Sequence, residues 1–409
     1  MKNTFNLIIL FCFLTFLSSV AFKYPHWGFH AHQIINKMAV FILPPEMMVF
    51  YKKNIDFIST HATDPDKRRY AVSGEAIKHY MDMEHWGTHP YNDAPTNYTD
   101  AMFRYTQMTQ FNETGDSLIL KSKIPAALAA DSLMIGTKQI SNAAYKKFIK
   151  QKLLYNSGSN PWRFPADSIN IWLGLSLESE KLPWIIIEED FSQYGICPYH
   201  ITNQYYQLVA AFRRSDHKSI LRISTDMGHY VADAHVPLHT TSNYNGQLTN
   251  QHGIHAFWES RLPELYANVE YDYIVGKARF ISDIENFIWN TILESNLLLS
   301  EVLDLEKALS QSFRDDQKFT YEIRLGKTTR IQSQEYSNAY HLALDGMVEK
   351  RMQDAVLALG SIWFTAWVNA GQPVLEKEMN LQWTREDLKQ MEIMDFRYSA
   401  GDPQGRSCK

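Results

Sequence analysis

Two carboxylate–histidine pairs lie close together in this chain, His229 with Asp233 and His255 with Glu259, and His239 stands between them. The members of each pair are four residues apart, so on a helix they project from one face, one above the other. Each pair can offer a nitrogen and an oxygen to one point in space. Imidazole and carboxylate without thiolate is the ligand set of catalytic zinc, whereas structural zinc favours cysteine. The chain holds 15 histidines, so a single such pair would most often be chance. An ordered run of five ligand-type residues makes metal-dependent hydrolysis the leading expectation.

The elements that must position these residues read as helices. Apolar residues recur at helical spacing over 31–51, 124–136, 202–213, 218–234, 255–267 and 281–299, and most strongly over 335–368. The last run should stop at Asn369-Ala370-Gly371-Gln372-Pro373, where glycine can take a left-handed cap and proline forbids continuation. Pro237, four residues after Asp233, should end or kink that helix and leave His239 just beyond it. Strand signals are sparse, and residues 156–197 read as irregular, with one β-branched run at 185–187. The expectation is an all-α fold: a metallohydrolase domain over 22–375 with an irregular insertion at 155–200, then a C-terminal tail at 376–409.

Lys2, the apolar run 7–17 and the small residues of Ser19-Val20-Ala21 read as an export signal over 1–21, so the expected location is secreted or periplasmic. The mature chain then carries Cys197 and Cys408, either as one disulfide or as two free thiols. A formal charge of −5 argues against the global basic footprint of a protein that grips long nucleic acid, and the lysines of 146–152 read as a solvated helix face. The sequons at Asn97 and Asn112 matter only in a host that glycosylates exported proteins.

His229-Tyr-Val-Ala-Asp233-Ala-His-Val-Pro-Leu-His239 and His255-Ala-Phe-Trp-Glu259 resemble two motifs of the superfamily of zinc-dependent phospholipases C and trinuclear zinc nucleases of single-stranded nucleic acid. Upstream, Trp27-Gly28 with His32 resembles the family's N-terminal tryptophan and its partner histidine. Asp64, in His61-Ala-Thr-Asp64-Pro-Asp, resembles the family aspartate, and His79, in Lys78-His79-Tyr80-Met-Asp82, the histidine after it. The motifs span residues 27–259 discontinuously.

The resemblance implies two to three Zn2+ per chain. Asp64, His79 and His229 would hold one ion, and His239, His255 and Glu259 a second. Trp27 and His32 would hold a third, with Asp233 bridging the first and third. In the family the tryptophan is the mature N-terminus and binds through its amine and carbonyl. Here a cut after Ala21 leaves residues 22–26 ahead of Trp27. Either a second trimming exposes Trp27, or His26 or His30 substitutes, or the third ion is weakly held.

The resemblance further implies hydrolysis of a phosphodiester, with Asp64 as both ligand and general base. The 16-residue step from His239 to His255, the glutamate at 259 and the segment Thr241-Ser-Asn-Tyr-Asn245 resemble the phospholipase branch. The Trp27/His32 and Asp64/His79 spacings resemble the nucleases. Tyr80, Tyr244 and Phe257 are the aromatic residues expected to line the substrate site, caging a cationic headgroup or stacking on a base, although aromatics beside a helix are more often core. The expected activity is that of a phospholipase C-type phosphodiesterase, with a single-strand nuclease or nucleotidase as the alternative. A metal-stabilised binding protein without turnover is the reading from another class. The expected partner is a phospholipid headgroup or, alternatively, single-stranded nucleic acid, with transient contact to a membrane surface and no obligate protein partner.

Overall fold

The computed structural model describes residues 29–124, 131–154, 160–324, 327–375 and 384–401. The export-signal segment, Trp27 and Cys408 lie outside the described residues.

The principal helices are α1 (Phe29–Phe41), α2 (Asp64–Arg68), α3 (Cys197–Arg213), α4 (His217–Ala234), α5 (Ile284–Leu297), α6 (Met347–Asn369) and α7 (Arg385–Ala400). Helix α6 is the central column and packs on α1, α3 and α4. Its buried residues Val348, Met352, Ala355, Val356, Leu359, Ile362, Trp363 and Ala366 fall on one face and make the apolar stripe that meets its neighbours. Trp363 stacks on Tyr51 with ring centroids 4.9 Å apart.

One close approach sets the geometry of the site. A Cβ built on Gly228 of α4 would fall 1.7 Å from Oδ1 of Asn36 on α1. Only a residue without a side chain lets the two helices come so near. Asn36 uses that proximity to donate to Thr225 O at 3.0 Å. His32, one turn before Asn36, therefore lies flat on His229, with ring centroids 4.0 Å apart and 19° between planes.

Two of the expected helices are broken, and the backbone shows why. The run 31–51 divides into α1 and a helix over Pro45–Lys53, where Pro45 occupies the first turn and its missing N–H costs nothing. The run 335–368 divides into Gln334–Ala343 and α6, because Asp345 and Gly346 take φ of 46° and 79°.

The all-α expectation is overturned. The described residues are 59% helical with 11% strand in three small antiparallel sheets, which is a mixed α/β architecture. The strands are β1 (Gln107–Phe111), β2 (Ser117–Lys121), β3 (Ser132–Ile135), β4 (Lys138–Ser141), β5 (Trp162–Pro165), β6 (Trp184–Glu188), β7 (Phe319–Arg324) and β8 (Lys327–Gln332). The largest sheet has the order β2-β1-β6-β5, and the hairpins β3–β4 and β7–β8 stand apart from it. The β-branched run 185–187 is the middle of β6, with Met108 opposite Ile187 and Gln110 opposite Ile185. Residues 132–135, expected to be helical, form β3 instead and turn into β4 through Gly136 at φ +59°. The physical reason is length. A strand of four to six residues that mixes Gln, Thr, Ser and Lys with its apolar positions shows too little alternation to stand out in sequence.

Within 376–409, the described helix α7 begins at a capping box of Thr384 and Asp387 and ends at Gly401, which is left-handed at φ 79°. No helix among the described residues is long and apolar enough to cross a membrane.

Candidate metal centre

Three adjoining groups of buried histidines with buried or half-buried carboxylates meet where α1, α2 and α4 converge with the turns after α4: His32, His229 and Asp233; Asp66, His79 and His229; and His239, His255 and Glu259. These clusters could hold metal ions.

Helix α4 supplies His229 and Asp233 from one face, with Nε2 and Oδ2 3.3 Å apart. Nδ1–H of His229 donates to Ala62 O at 2.9 Å, which leaves a bare lone pair on Nε2 facing the cluster. The helix stops at Ala234, and Pro237 starts a 3₁₀ turn that carries His239. Two hydrogen bonds fasten this turn to the His79 segment. Nδ1–H of His239 donates to His79 O at 2.6 Å, and Met81 N–H donates to His239 O at 2.9 Å. Nε2 of His239 is thereby bare as well.

His255 and Glu259 lie in a short helix that passes into a π-helical turn over Phe257–Arg261. Wide turns of this kind are frequent at functional sites. Nε2 of His255 is 2.7 Å from Glu259 Oε2 and 2.8 Å from His239 Nε2, and the last is 3.1 Å from Glu259 Oε2. Bare nitrogens and an ionised oxygen held this close must share a proton or a cation. Ligands of a tetrahedral zinc sit roughly 3.3 Å from one another, given bonds of about 2.0–2.1 Å. The donor set therefore fits a divalent ion.

The other two groups connect with this one. His79 Nδ1 lies 2.9 Å from Asp233 Oδ2 and 3.1 Å from His229 Nε2. Asp233 Oδ1 is 3.7 Å from both His32 Nε2 and His239 Nδ1. His32 Nε2 is also 3.3 Å from Glu259 Oε1. Asp233 thus lies between His32 on one side and the His79–His229 pair on the other, with its two oxygens pointing to different neighbours.

The carboxylate at the His79–His229 pair is Asp66 rather than Asp64. Asp66 Oδ1 lies 3.7 Å from His229 Nε2 and 3.9 Å from His79 Nδ1. Asp64 faces elsewhere: its Oδ2 accepts from His61 Nδ1 at 2.7 Å, and its Oδ1 is 3.3 Å from Lys67 Nζ. Two residues on an α-helix are about 200° apart, so Asp64 and Asp66 cannot point the same way. Pro65 in the first turn of α2 was the available sign that a helix starts here and that only one of the two aspartates could face inward.

Electrostatics keep the cluster ready for a cation. Burial, aided by neighbouring imidazoles, pushes the pKa of His79 and of His229 well below the ordinary histidine value. Burial also lowers that of His239, against the opposing pull of Glu259. For Glu259, burial pushes upward, but His255 and His239 outweigh it and hold the acid well below the usual carboxylate range. Neutral imidazoles beside an ionised carboxylate are the protonation states a metal requires. Behind His79 and His229, the ring of Tyr230 stands edge-on to both, and its hydroxyl donates to the buried Glu75, which also receives Lys78 Nζ at 2.7 Å.

The aromatic residues expected at the substrate site divide. Phe257 is buried and packs on Tyr336 and Tyr340, with centroids 5.3 and 4.8 Å away, so it belongs to the core. Tyr80 is 9% exposed and donates its hydroxyl to Gln193 O at 3.1 Å, away from the cluster. Tyr244 is half-buried and edge-on to His255 at 5.9 Å, at the rim. His30 does not replace Trp27 as a ligand here, because its Nε2 meets Asn268 Nδ2 at 3.0 Å. His235 is buried with Nδ1 donating to Val231 O at 2.7 Å, and His252 is exposed. Cys197 is buried, and its Sγ contacts Tyr230 O at 3.6 Å.

No protein-family model matches the chain, and the search of curated proteins found no match either.

Proposed function

We propose that this protein is an exported zinc-dependent phosphodiester hydrolase of phospholipase C type. The observation that carries the reading is Asp233, a buried carboxylate whose two oxygens serve adjoining histidine groups. Such a carboxylate can be shared between cations, which an imidazole cannot. Asp66, His79 and His229 would hold one Zn2+, His239, His255 and Glu259 a second, and His32 with Asp233 a third. Bound there, the ions would supply Lewis-acid stabilisation of phosphoryl oxygens and a lowered pKa for water.

The chain's own groups do the positioning. Ala62 O and His79 O fix the tautomers of His229 and His239, so their Nε2 atoms face the cluster without a proton. Asp66 is 24% exposed and is the open edge of the cluster, where a carboxylate can take a proton from an incoming water. Asp64, held ionised by His61 and Lys67 despite its burial, orients Lys67 at that edge. Lys67 is a cation suited to a phosphate flanking the scissile one, and this favours a single-strand nuclease as the second reading.

The test is a side-by-side assay of metal-loaded protein on phosphatidylcholine-type diesters, single-stranded DNA and RNA, with Asp66→Asn and chelated protein as controls. Diacylglycerol release that both controls abolish supports the phospholipase reading. Cleavage of nucleic acid without diacylglycerol release moves the assignment to the nuclease. No turnover of any substrate by fully loaded protein contradicts both.

A further inference from the structure

The open edge of the metal cluster is not bare. Helix α7 packs against α2, the helix that carries Asp66. Asp395 of α7 reaches Lys67 Nζ at 2.9 Å, so that lysine is shared between Asp64 and a residue from the far C-terminus. Two residues further on, Arg397 donates to Ala71 O at 3.0 Å. The ring of Tyr398 lies 5.0 Å from Tyr70, edge-on, and 5.7 Å from Phe29, three residues before His32. Burial, then the neighbouring Tyr70 and the charge of Asp66, push the Tyr398 phenol upward.

The attachment is light. None of the residues of α7 whose side chains are described is fully buried, and the half-buried ones are Asp387, Met391, Met394 and Tyr398. Their spacing of four, three and four residues makes a single narrow stripe along one face. The other side carries Phe396 at 75% exposure. The far end is held by charge, where Asp387 meets both Lys218 and Arg222 of α4. A helix fixed by a thin stripe and partly exposed ion pairs sits at the low-stability end of a fold, where segments open without global unfolding.

We propose that α7 is an autoinhibitory strap: it lies across the open edge of the metal cluster, fills the anion-binding position at Lys67 with its own Asp395, and must swing away before a bulky phosphodiester can reach the metals. The part concerning substrate rests on the phosphodiesterase reading, whereas the part concerning access to the metals does not. An anionic substrate would compete with Asp395 for Lys67, and salt would loosen both ends of the strap.

The test uses full-length, zinc-loaded protein and the variant Asp387→Lys/Asp395→Asn, whose changes lie outside the metal ligands. Two quantities are read: the rate at which a coloured chelator strips zinc, and kcat/KM on short-chain phosphatidylcholine relative to bis(4-nitrophenyl) phosphate. The strap predicts at least about threefold faster stripping in the variant, a weaker dependence of that rate on salt, and a ratio of kcat/KM raised at least about threefold. Tyr398→Ala should move both quantities the same way and guards against misfolding of the double variant. Unchanged stripping rates in both variants would overturn the strap. If stripping accelerates but no diester is cleaved by any form, the strap stands and the phosphodiesterase reading fails.

Discussion

The carboxylate of Asp66 lies 3.7 Å from Nε2 of His229, while Asp64, two residues earlier on the same short helix, is bonded to His61 at 2.7 Å. This relationship assigns different tasks to two neighbouring acids. Asp66→Asn should therefore cost one metal equivalent, or weaken that ion by roughly 100-fold or more, since even the outer partners of a ligand are worth about 10–100-fold. Asp64→Asn should keep the full complement and lose affinity only modestly. Metal analysis after gel filtration of both variants separates the cases, and equal losses would contradict the assignment.

Gly228 is where α4 and α1 touch. Because a methyl there would meet Asn36 Oδ1 at 1.7 Å, Gly228→Ala must displace the Asn36 amide or push the helices apart. Overpacking of this kind costs about 1–3 kcal/mol. The displacement should also lift His32 off His229 and weaken metal binding in the group they share with Asp233. Urea unfolding and zinc titration of the variant check both effects. A more stable variant would show that the contact is not tight.

Chelator-stripped protein should lose stability as pH falls. His79, His229 and His239 have folded-state pKa values lowered by burial from the ordinary 6.5. Below that value the unfolded chain takes up protons that the folded chain refuses. Stability is therefore fully present above about pH 6.5 and declines towards the depressed folded values, by at most about 1.4 kcal/mol per pH unit per histidine. Chemical denaturation of stripped protein at pH 7.5 and pH 5.5 reads this directly. Equal midpoints would mean that these imidazoles are not buried in the neutral form.

Phe257 and Tyr244 should respond in opposite ways. Phe257→Ala removes a ring packed on Tyr336 and Tyr340 and should cost about 3–5 kcal/mol, with little change in KM for the folded fraction. Tyr244→Ala, at the rim beside His255, should change stability by about 0.5 kcal/mol or less and raise KM. Thermal melts paired with kinetics decide between the roles.

What was legible in the sequence was local. His229/Asp233 and His255/Glu259 could be paired because the helix period alone fixes an i, i+4 relationship, and Pro237 marked the exit to His239. The choice between Asp64 and Asp66 was not legible, because it depends on the rotation of α2 against α4. The pairing of Ile185–Ile187 with Met108–Gln110 was also hidden, since two short strands 75 or more residues apart acquire meaning only when they meet. Helix α7 falls within the expected tail 376–409, and what places it is a set of ion pairs to α2 and α4.

Anomalous diffraction at the zinc absorption edge, from crystals of zinc-loaded protein, tests the central claim most directly. Two or three peaks should lie among His32, Asp66, His79, His229, Asp233, His239, His255 and Glu259, each within about 2.0–2.3 Å of the ligand atoms. No peak inside this group, or a single ion bound only at surface histidines such as His252, would contradict a polynuclear metal centre.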